Sequence, residues 1–198
     1  PGLAARVGGV TARVNEQRFG ELMAELAKHR ARVARLVEPD LATGLARIRA
    51  CLGLEEGETA ESVLAAACAE GAFDALGLEG ACRELSKGAN KYIARGTLIR
   101  SWLTAEVADR TARWTEYRHA YFQKSKPTEQ YAELVAKKVA ETMPHVERAL
   151  RREADRIAAV VERLNKVEVY EATACLLAFG VDLLEEYRRG KLRHALLD

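Results

Sequence analysis

Several features that would identify a protein class are missing from this sequence. No apolar run approaches the roughly 20 residues of a transmembrane helix, so we expect no membrane segment. The four cysteines show no CxxC spacing, which favours small, buried, free thiols in a reducing cytoplasm over a zinc or redox motif. No segment alternates with a period of two and is rich in β-branched residues, so strands should be absent or trivial.

The local motifs of common catalytic sites are also missing. The Gly190-Lys191 pair is followed by Leu192 and lacks the upstream glycine of a phosphate-binding loop, so we expect no nucleotide hydrolysis. The Glu116 to His119 ExxH motif occurs once, whereas a di-iron bundle needs two such motifs and two more glutamates. The histidines lack zinc spacing, and no GxSxG elbow is present. The sequence predicts no catalytic residue, no metal site and no cofactor in this chain.

Most of the sequence shows the apolar periodicity of α-helices. Apolar residues recur at helical spacing over 15–37, and Pro39 should end that helix. A second helix is predicted over 41–52, stopped by Gly53, and Thr59 can cap the next one. Glycines then divide the following stretch, so residues 54–82 are predicted to form a small acidic lobe of short helices.

The second half of the chain predicts longer helices. Two are expected over 88–104 and 104–122, followed by an exposed loop at 123–127. Thr128 can cap a further helix, and Pro144 suits the first turn of the helix after it. Residues 144–190 are predicted to form two long antiparallel helices with a turn near Asn165, with a single bent helix as the alternative. The fold class is all-α, a multi-helix bundle forming a single helical domain over residues 1–198.

Charge is distributed unevenly along the chain. No Lys or Arg occurs between Ala50 and Cys82, where seven acidic residues lie. The stretch from Arg83 to Lys126 contains ten basic residues and four acidic ones. A basic surface of this kind suits polyanions, although charged stretches are more often solvated helix faces.

The basic stretch supplies the candidate DNA-binding residues. They are Lys87, Lys91, Arg95, Arg100, Lys124 and Lys126. The first three recur every four residues, so one helix would present them as a stripe, with Arg100 nearby. Trp114, Tyr117 and Tyr121 lie among them at the spacing of a core-facing stripe, which favours packing over base stacking. Phosphate contact by the basic residues would carry no sequence preference.

Longer segments resemble a known family. "AARVGGVTARVNEQRFGELMAELAKHRARVARLV", "LGLEEGETAESVLAAACAEGAFD", "YRHAYFQKSKP" and "EEYRRGKLRHALLD" are similar to the AddA-type helicase subunit of alphaproteobacterial double-strand-break repair proteins. The resemblance implies the helical 1B-type insertion of a UvrD-like superfamily 1 motor. ATP and Mg would then bind elsewhere in the parent protein, which would hydrolyse ATP and pair with an AddB-type nuclease subunit in the bacterial cytoplasm. The Pro1-Gly2-Leu3 start, without an initiator Met, also suggests a fragment of a larger protein.

Two functions follow from these observations. The first is a non-catalytic accessory subdomain that contacts DNA beside the motor domains of an ATP-dependent helicase. The alternative is a helical protein–protein interaction scaffold with no direct DNA contact, using the acidic lobe or an exposed helix face. An independent enzyme ranks well below both, because no catalytic motif supports it.

Overall fold

The structure, a computed structural model, describes Glu21, residues 24–26 and residues 28–193. In the last helix it describes the side chains up to residue 183 and those of residues 185, 186 and 189. In this part of the chain the bounded helices are α1 (Arg30–Leu36), α2 (Leu41–Cys51), α3 (Ala60–Cys68), α4 (Ala75–Leu85), α5 (Asn90–Leu103), α6 (Val107–Ala112), α7 (Trp114–Arg118), α8 (Lys137–Thr142) and α9 (Pro144–Arg193). Among the described residues, β structure is limited to one isolated bridge between Phe122 and Gln130. The prediction of an all-α, multi-helix fold is confirmed. The predicted start of the first helix, residues 15–20, lies outside the described residues.

The contacts group the chain into two compact units. Of the described residues, one unit contains those up to Glu58 together with those from Lys166 onward, and the other runs from Thr59 to Asn165. The sequence predicted a single helical domain, and the structure presents the helices as these two units. All six candidate DNA-binding residues belong to the second unit.

In the first unit, α2 forms between the expected signals. Asp40 caps it, because its carboxylate accepts a hydrogen bond from the Thr43 N–H at 2.8 Å. The helix ends just before Gly53, which has a positive φ of 68° that glycine adopts without strain. The guanidinium of Arg49 lies 4.1 Å from the centre of the Tyr170 ring. This contact ties α2 to the part of α9 in the same unit.

In the second unit, the predicted acidic lobe contributes to the main core. Thr59 caps α3 in a reciprocal capping box with Ser62, as its position predicted. Cys68 from α3 and Leu78 from α4 are fully buried in the same cluster as Trp102 from α5. Residues 54–82 are short helices, as expected, but their apolar faces do not form a lobe of their own.

The aromatic residues of α5 and α7 form the centre of this core. Trp102 and Tyr117 stack with ring centres 3.8 Å apart and planes 11° apart. Tyr117 meets the edge of Tyr121 at 5.4 Å. Trp114 is 5 % exposed, and Tyr117 and Tyr121 are fully buried. The predicted packing role of these aromatics is confirmed.

Two helix predictions between residues 104 and 136 are wrong. The helix expected over 104–122 is divided at Arg113 into α6 and α7. The helix expected from Thr128 is absent, and α8 begins only at Lys137. The intervening segment instead pairs with the chain before it, because the Tyr131 N–H donates to the Tyr121 carbonyl at 2.9 Å. That pairing satisfies the Tyr131 N–H and the Tyr121 carbonyl without a helix.

The predicted hairpin over residues 144–190 is also wrong. Pro144 begins α9 as expected, but one helix continues through Asn165 to Arg193. Asn has only a slightly lower helix propensity than its neighbours, and no glycine or proline lies close to it to end the helix. The alternative of a single helix is the one observed.

The cysteines divide by environment. Cys68 and Cys82 are buried free thiols, as predicted, and burial raises the pKa of each. Cys175 is partly buried and Cys51 is exposed, so the expectation of burial is wrong for Cys51. A raised pKa keeps the thiols of Cys68 and Cys82 protonated at neutral pH and poorly nucleophilic.

Candidate nucleic-acid interface

The predicted stripe of Lys87, Lys91 and Arg95 does not exist on one helix. Lys87 lies in the turn after α4, and α5 begins only at Asn90. The Lys87 ammonium pairs with the carboxylate of Glu84 at 2.8 Å. Lys87 in the α4–α5 turn therefore pairs with a residue of α4, whereas Lys91 and Arg95 lie on α5.

Two other predicted residues are also separated from this pair. Arg100 follows Arg95 by five residues, which at about 100° per residue turns it roughly 140° around the helix. It lines a different pocket of about 230 Å³ together with Arg83 and Thr104. Lys126 pairs with the carboxylate of Glu129 at 2.9 Å. The sequence therefore grouped residues that the fold places on different surfaces.

The remaining three predicted residues meet in one groove of about 670 Å³, here called the cationic groove. Its charged and polar lining consists of Lys91, Arg95, His119, Gln123, Lys124, Tyr131 and Glu133. Its apolar lining consists of Ala94, Leu98, Ala120 and Ala132. Three cations thus surround a groove that contains one carboxylate, which makes it attractive to anions.

Arg95 is the fixed cation of the groove. Its Nε donates to the Ala120 carbonyl at 2.7 Å, and its Nη1 donates to the Leu134 carbonyl at 2.6 Å. The guanidinium also lies 4.8 Å from the centre of the Tyr131 ring. Among the described residues, none accepts a hydrogen bond from Nη2, which leaves its two N–H donors without a protein partner. Arg95 therefore both holds the 131–134 segment and presents charge.

Lys91 and Glu133 form the exposed rim. The Lys91 ammonium lies 3.4 Å from a Glu133 carboxylate oxygen, and both side chains are more than 60 % exposed. The Tyr92 hydroxyl donates to the same oxygen at 3.4 Å. An exposed, hydrated pair of this kind is weak, so an incoming anion can replace Glu133 at little cost.

Lys124 and His119 complete the lining. Within the described part of the chain, Lys124 forms no ion pair or hydrogen bond. Burial lowers the pKa of His119, and the charges of Lys124 and Arg118 lower it further, while Glu116 opposes them. His119 is therefore neutral at neutral pH, which leaves Lys124 as the unpaired cation beside it.

A second set of charged residues lies in the core, and sequence reasoning missed it. Glu153 is 4 % exposed and accepts a hydrogen bond from the Tyr117 hydroxyl at 2.7 Å. Arg156 pairs with the same carboxylate at 2.7 Å and donates to the Ala67 carbonyl at 2.9 Å. Glu153 falls between Leu150 and Ile157 on the apolar stripe of α9, and this position was the available signal.

Most of this buried network is satisfied within the protein, although the buried Nε of Arg110 has no hydrogen-bond partner among the described residues. Burial raises the pKa of Tyr117 well above its ordinary value, and the neighbouring Tyr121 and Glu153 raise it further. Arg110, 8 % exposed, donates to the carbonyls of Leu103 and Cys68. These groups join α3, α6, α7 and α9.

The described residues give no sign of metal chemistry or membrane insertion. Among them, no cluster of three or more His, Cys, Asp or Glu side chains could hold a metal ion. Within the same residues, no helix is both long and apolar enough to cross a bilayer.

Comparison of the chain with protein-family models, with curated proteins and with solved structures finds no match.

Proposed function

We propose that this chain is a non-catalytic helical module that contacts DNA phosphates through the cationic groove. The observation that supports it is the meeting of Lys91, Arg95 and Lys124 around one groove with a single exposed carboxylate. Lys91 and Arg95 come from α5, and Lys124 comes from the loop after α7. Residues distant in sequence thus supply one surface with positive charge.

The geometry favours phosphate over a base-specific contact. Arg95 is held by backbone carbonyls, so little side-chain entropy is lost when its free donors bind an oxyanion. Lys91 and Lys124 are flexible point charges that can follow a backbone. Contacts of this kind supply affinity and steep salt dependence but no sequence preference.

The wider context of the proposal rests on the resemblance to AddA-type helicase subunits. In that context the module is the 1B-type insertion of an ATP-dependent helicase in bacterial double-strand-break repair. The parent protein would bind ATP and Mg, work in the cytoplasm and pair with an AddB-type nuclease subunit. The module itself would guide DNA beside the motor.

An interaction scaffold is the second candidate, and one observation favours it. Leu76 on α4 is 80 % exposed within the acidic stretch that contains Asp74 and Glu79. An exposed apolar side chain beside acidic residues offers a basic protein partner both an apolar contact and complementary charge. This surface belongs to different residues from the cationic groove, so the two functions can be separated by mutation.

Lys124→Gln tests the DNA-binding proposal. We expect weaker binding of a labelled oligonucleotide, and a log–log salt slope lower by about 1, because one phosphate contact is lost. Lys87→Gln is the matched control, since it removes the same charge from a lysine outside the groove. Fluorescence anisotropy across a salt series measures both variants.

Two results would count against the proposal. Equal loss of affinity in the Lys87 and Lys124 variants would show that net charge, rather than the groove, governs binding. If the chain binds no DNA at low salt but captures an AddB-type subunit in a pull-down that Leu76→Ala weakens, the scaffold function is the correct one.

A further inference from the structure

The cationic groove has more apolar lining than phosphate binding requires. Ala94 and Leu98 from α5 contribute to it, and Ala132 contributes from the segment after the isolated bridge. Lys91 and Lys124 supply the charge. A phosphate ester gains nothing from the alanine and leucine side chains, whereas the face of a nucleobase can be buried against them.

Tyr131 adds an aromatic ring that is already held in place. Its N–H donates to the Tyr121 carbonyl at 2.9 Å, and its own carbonyl accepts from Arg151 Nη1 at 3.0 Å. The Arg95 guanidinium lies 4.8 Å from the ring centre. Since these contacts hold the backbone and the ring before any ligand arrives, a base that packs beside Tyr131 has a small entropic cost of ordering the protein.

We infer that the cationic groove accepts an unpaired base of a DNA single strand, with the neighbouring phosphates at Lys91 and Lys124. This inference rests on the proposed function and adds the form of DNA that is bound. In a duplex the bases are stacked and paired, so only phosphates could reach the groove, whereas a single strand exposes the faces of its bases. The volume of about 670 Å³ suits a ligand of nucleotide size.

The first experiment compares two oligonucleotides of equal charge with the unmodified 198-residue chain. One is an oligothymidylate of about 12 nucleotides, within the usual range of site sizes. The other is an abasic oligomer of the same length, which keeps the phosphates and lacks the bases. We expect the oligothymidylate to bind at least about fivefold more tightly in fluorescence anisotropy at low salt, because one base is stacked.

The second experiment blocks the apolar part of the groove without changing charge. Ala94→Leu places a larger side chain at an exposed helical position in the lining. Ala108→Leu makes the same change at an exposed position of α6, outside the groove. Leucine is a good helix former, so both variants should retain the helical circular dichroism and the thermal midpoint of the parent chain. We expect Ala94→Leu to lose the preference for oligothymidylate and Ala108→Leu to keep it.

The outcomes separate this inference from the proposed function. If the unmodified chain binds both oligomers equally, base insertion is wrong and phosphate binding stands. A preference that survives Ala94→Leu also overturns base insertion, because the base must then bind elsewhere. If neither oligomer binds at low salt, both proposals fail. The comparison of oligomers needs no variant, so misfolding of Ala94→Leu would leave it decisive.

Discussion

Glu153 and Glu133 belong to the same compact unit and have similar partners in different surroundings. Each accepts from a tyrosine hydroxyl and pairs with a cation: Glu153 with Tyr117 and Arg156, Glu133 with Tyr92 and Lys91. The side chain of Glu153 is 3 % exposed, whereas that of Glu133 is 65 % exposed. Their hydrogen bonds to tyrosine measure 2.7 Å and 3.4 Å.

The difference shows that burial, and not the kinds of residue involved, decides what a charged cluster does. Around Glu153 the partners are desolvated, so every group must be satisfied within the protein and the network serves stability. Around Glu133 the partners remain hydrated and the pair is weak, so the cations stay available to a ligand. The comparison leads to three predictions, given in order of decreasing effect.

Removing the buried carboxylate should have the largest effect. Glu153→Ala leaves Arg156 partly buried without its counter-charge and the Tyr117 hydroxyl without its acceptor. We expect the free energy of unfolding to fall by about 3–5 kcal/mol, the usual cost of breaking a buried pair. Urea denaturation followed by circular dichroism measures it.

Glu129→Ala is the matched control for this substitution. It removes a carboxylate from an exposed pair with Lys126, where the loss should stay below about 1 kcal/mol. If the two substitutions destabilise the protein equally, the contrast between buried and exposed clusters is incorrect.

Neutralising the exposed carboxylate should change binding rather than stability. Glu133→Gln removes the one negative charge among the lining residues and frees Lys91 for phosphate. We expect DNA to bind about two- to fivefold more tightly at low salt, since an exposed and hydrated charge has only a modest effect on binding. The gain should shrink as salt screens it. Fluorescence anisotropy titrations with DNA compare Glu133→Gln with the control Glu129→Gln. Equal DNA affinity of the two variants would refute the prediction.

The smallest expected effect is a pH dependence of binding through His119. Burial, Lys124 and Arg118 lower the pKa of His119 in the free protein, so the ring is neutral at neutral pH. A bound phosphate would offset those positive charges and raise the pKa, so binding would take up a proton and tighten as the pH falls. We expect about a two- to threefold gain in affinity between about pH 7.5 and about pH 5.5.

His119→Gln serves as the control for the pH experiment, because it keeps a polar side chain that does not titrate. Its affinity should not change over the same range. Since the lowered pKa means that protonation of His119 favours unfolding, helical circular dichroism should accompany each titration. A pH dependence that persists in this variant would assign the proton to another group.

Local chemistry explains which parts of the fold could be predicted. Thr59 and Pro144 act at helix ends through backbone geometry and hydrogen bonds within a few residues, so their roles could be recognised from neighbouring residues. Asn165 carried no such signal, and the expected turn there is absent. The helix expected from Thr128 does not form, and residue 131 pairs with residue 121 instead. Local helix propensity contains no information about such a pairing.

The candidate site was predictable only in part. Lys91, Arg95 and Lys124 were identified from the charge pattern, and they share the cationic groove. Lys87, in the α4–α5 turn, and Arg100, on another face of α5, fitted the same pattern equally well. Predicting a stripe on one helix requires knowing where that helix begins. The start of α5 at Asn90 decided which residues share a face.

The sequence by itself determined the helical class, because apolar periodicity and helix caps act over one or two turns. Tertiary structure decided which cations are available. Arg95 reaches the carbonyl of Leu134, 39 residues away, and Arg156 reaches that of Ala67, 89 residues away. Whether a charge is desolvated and paired depends on such distant partners. Arg156 is partly buried and paired with Glu153, while Lys124 in an exposed loop has no such partner among the described residues.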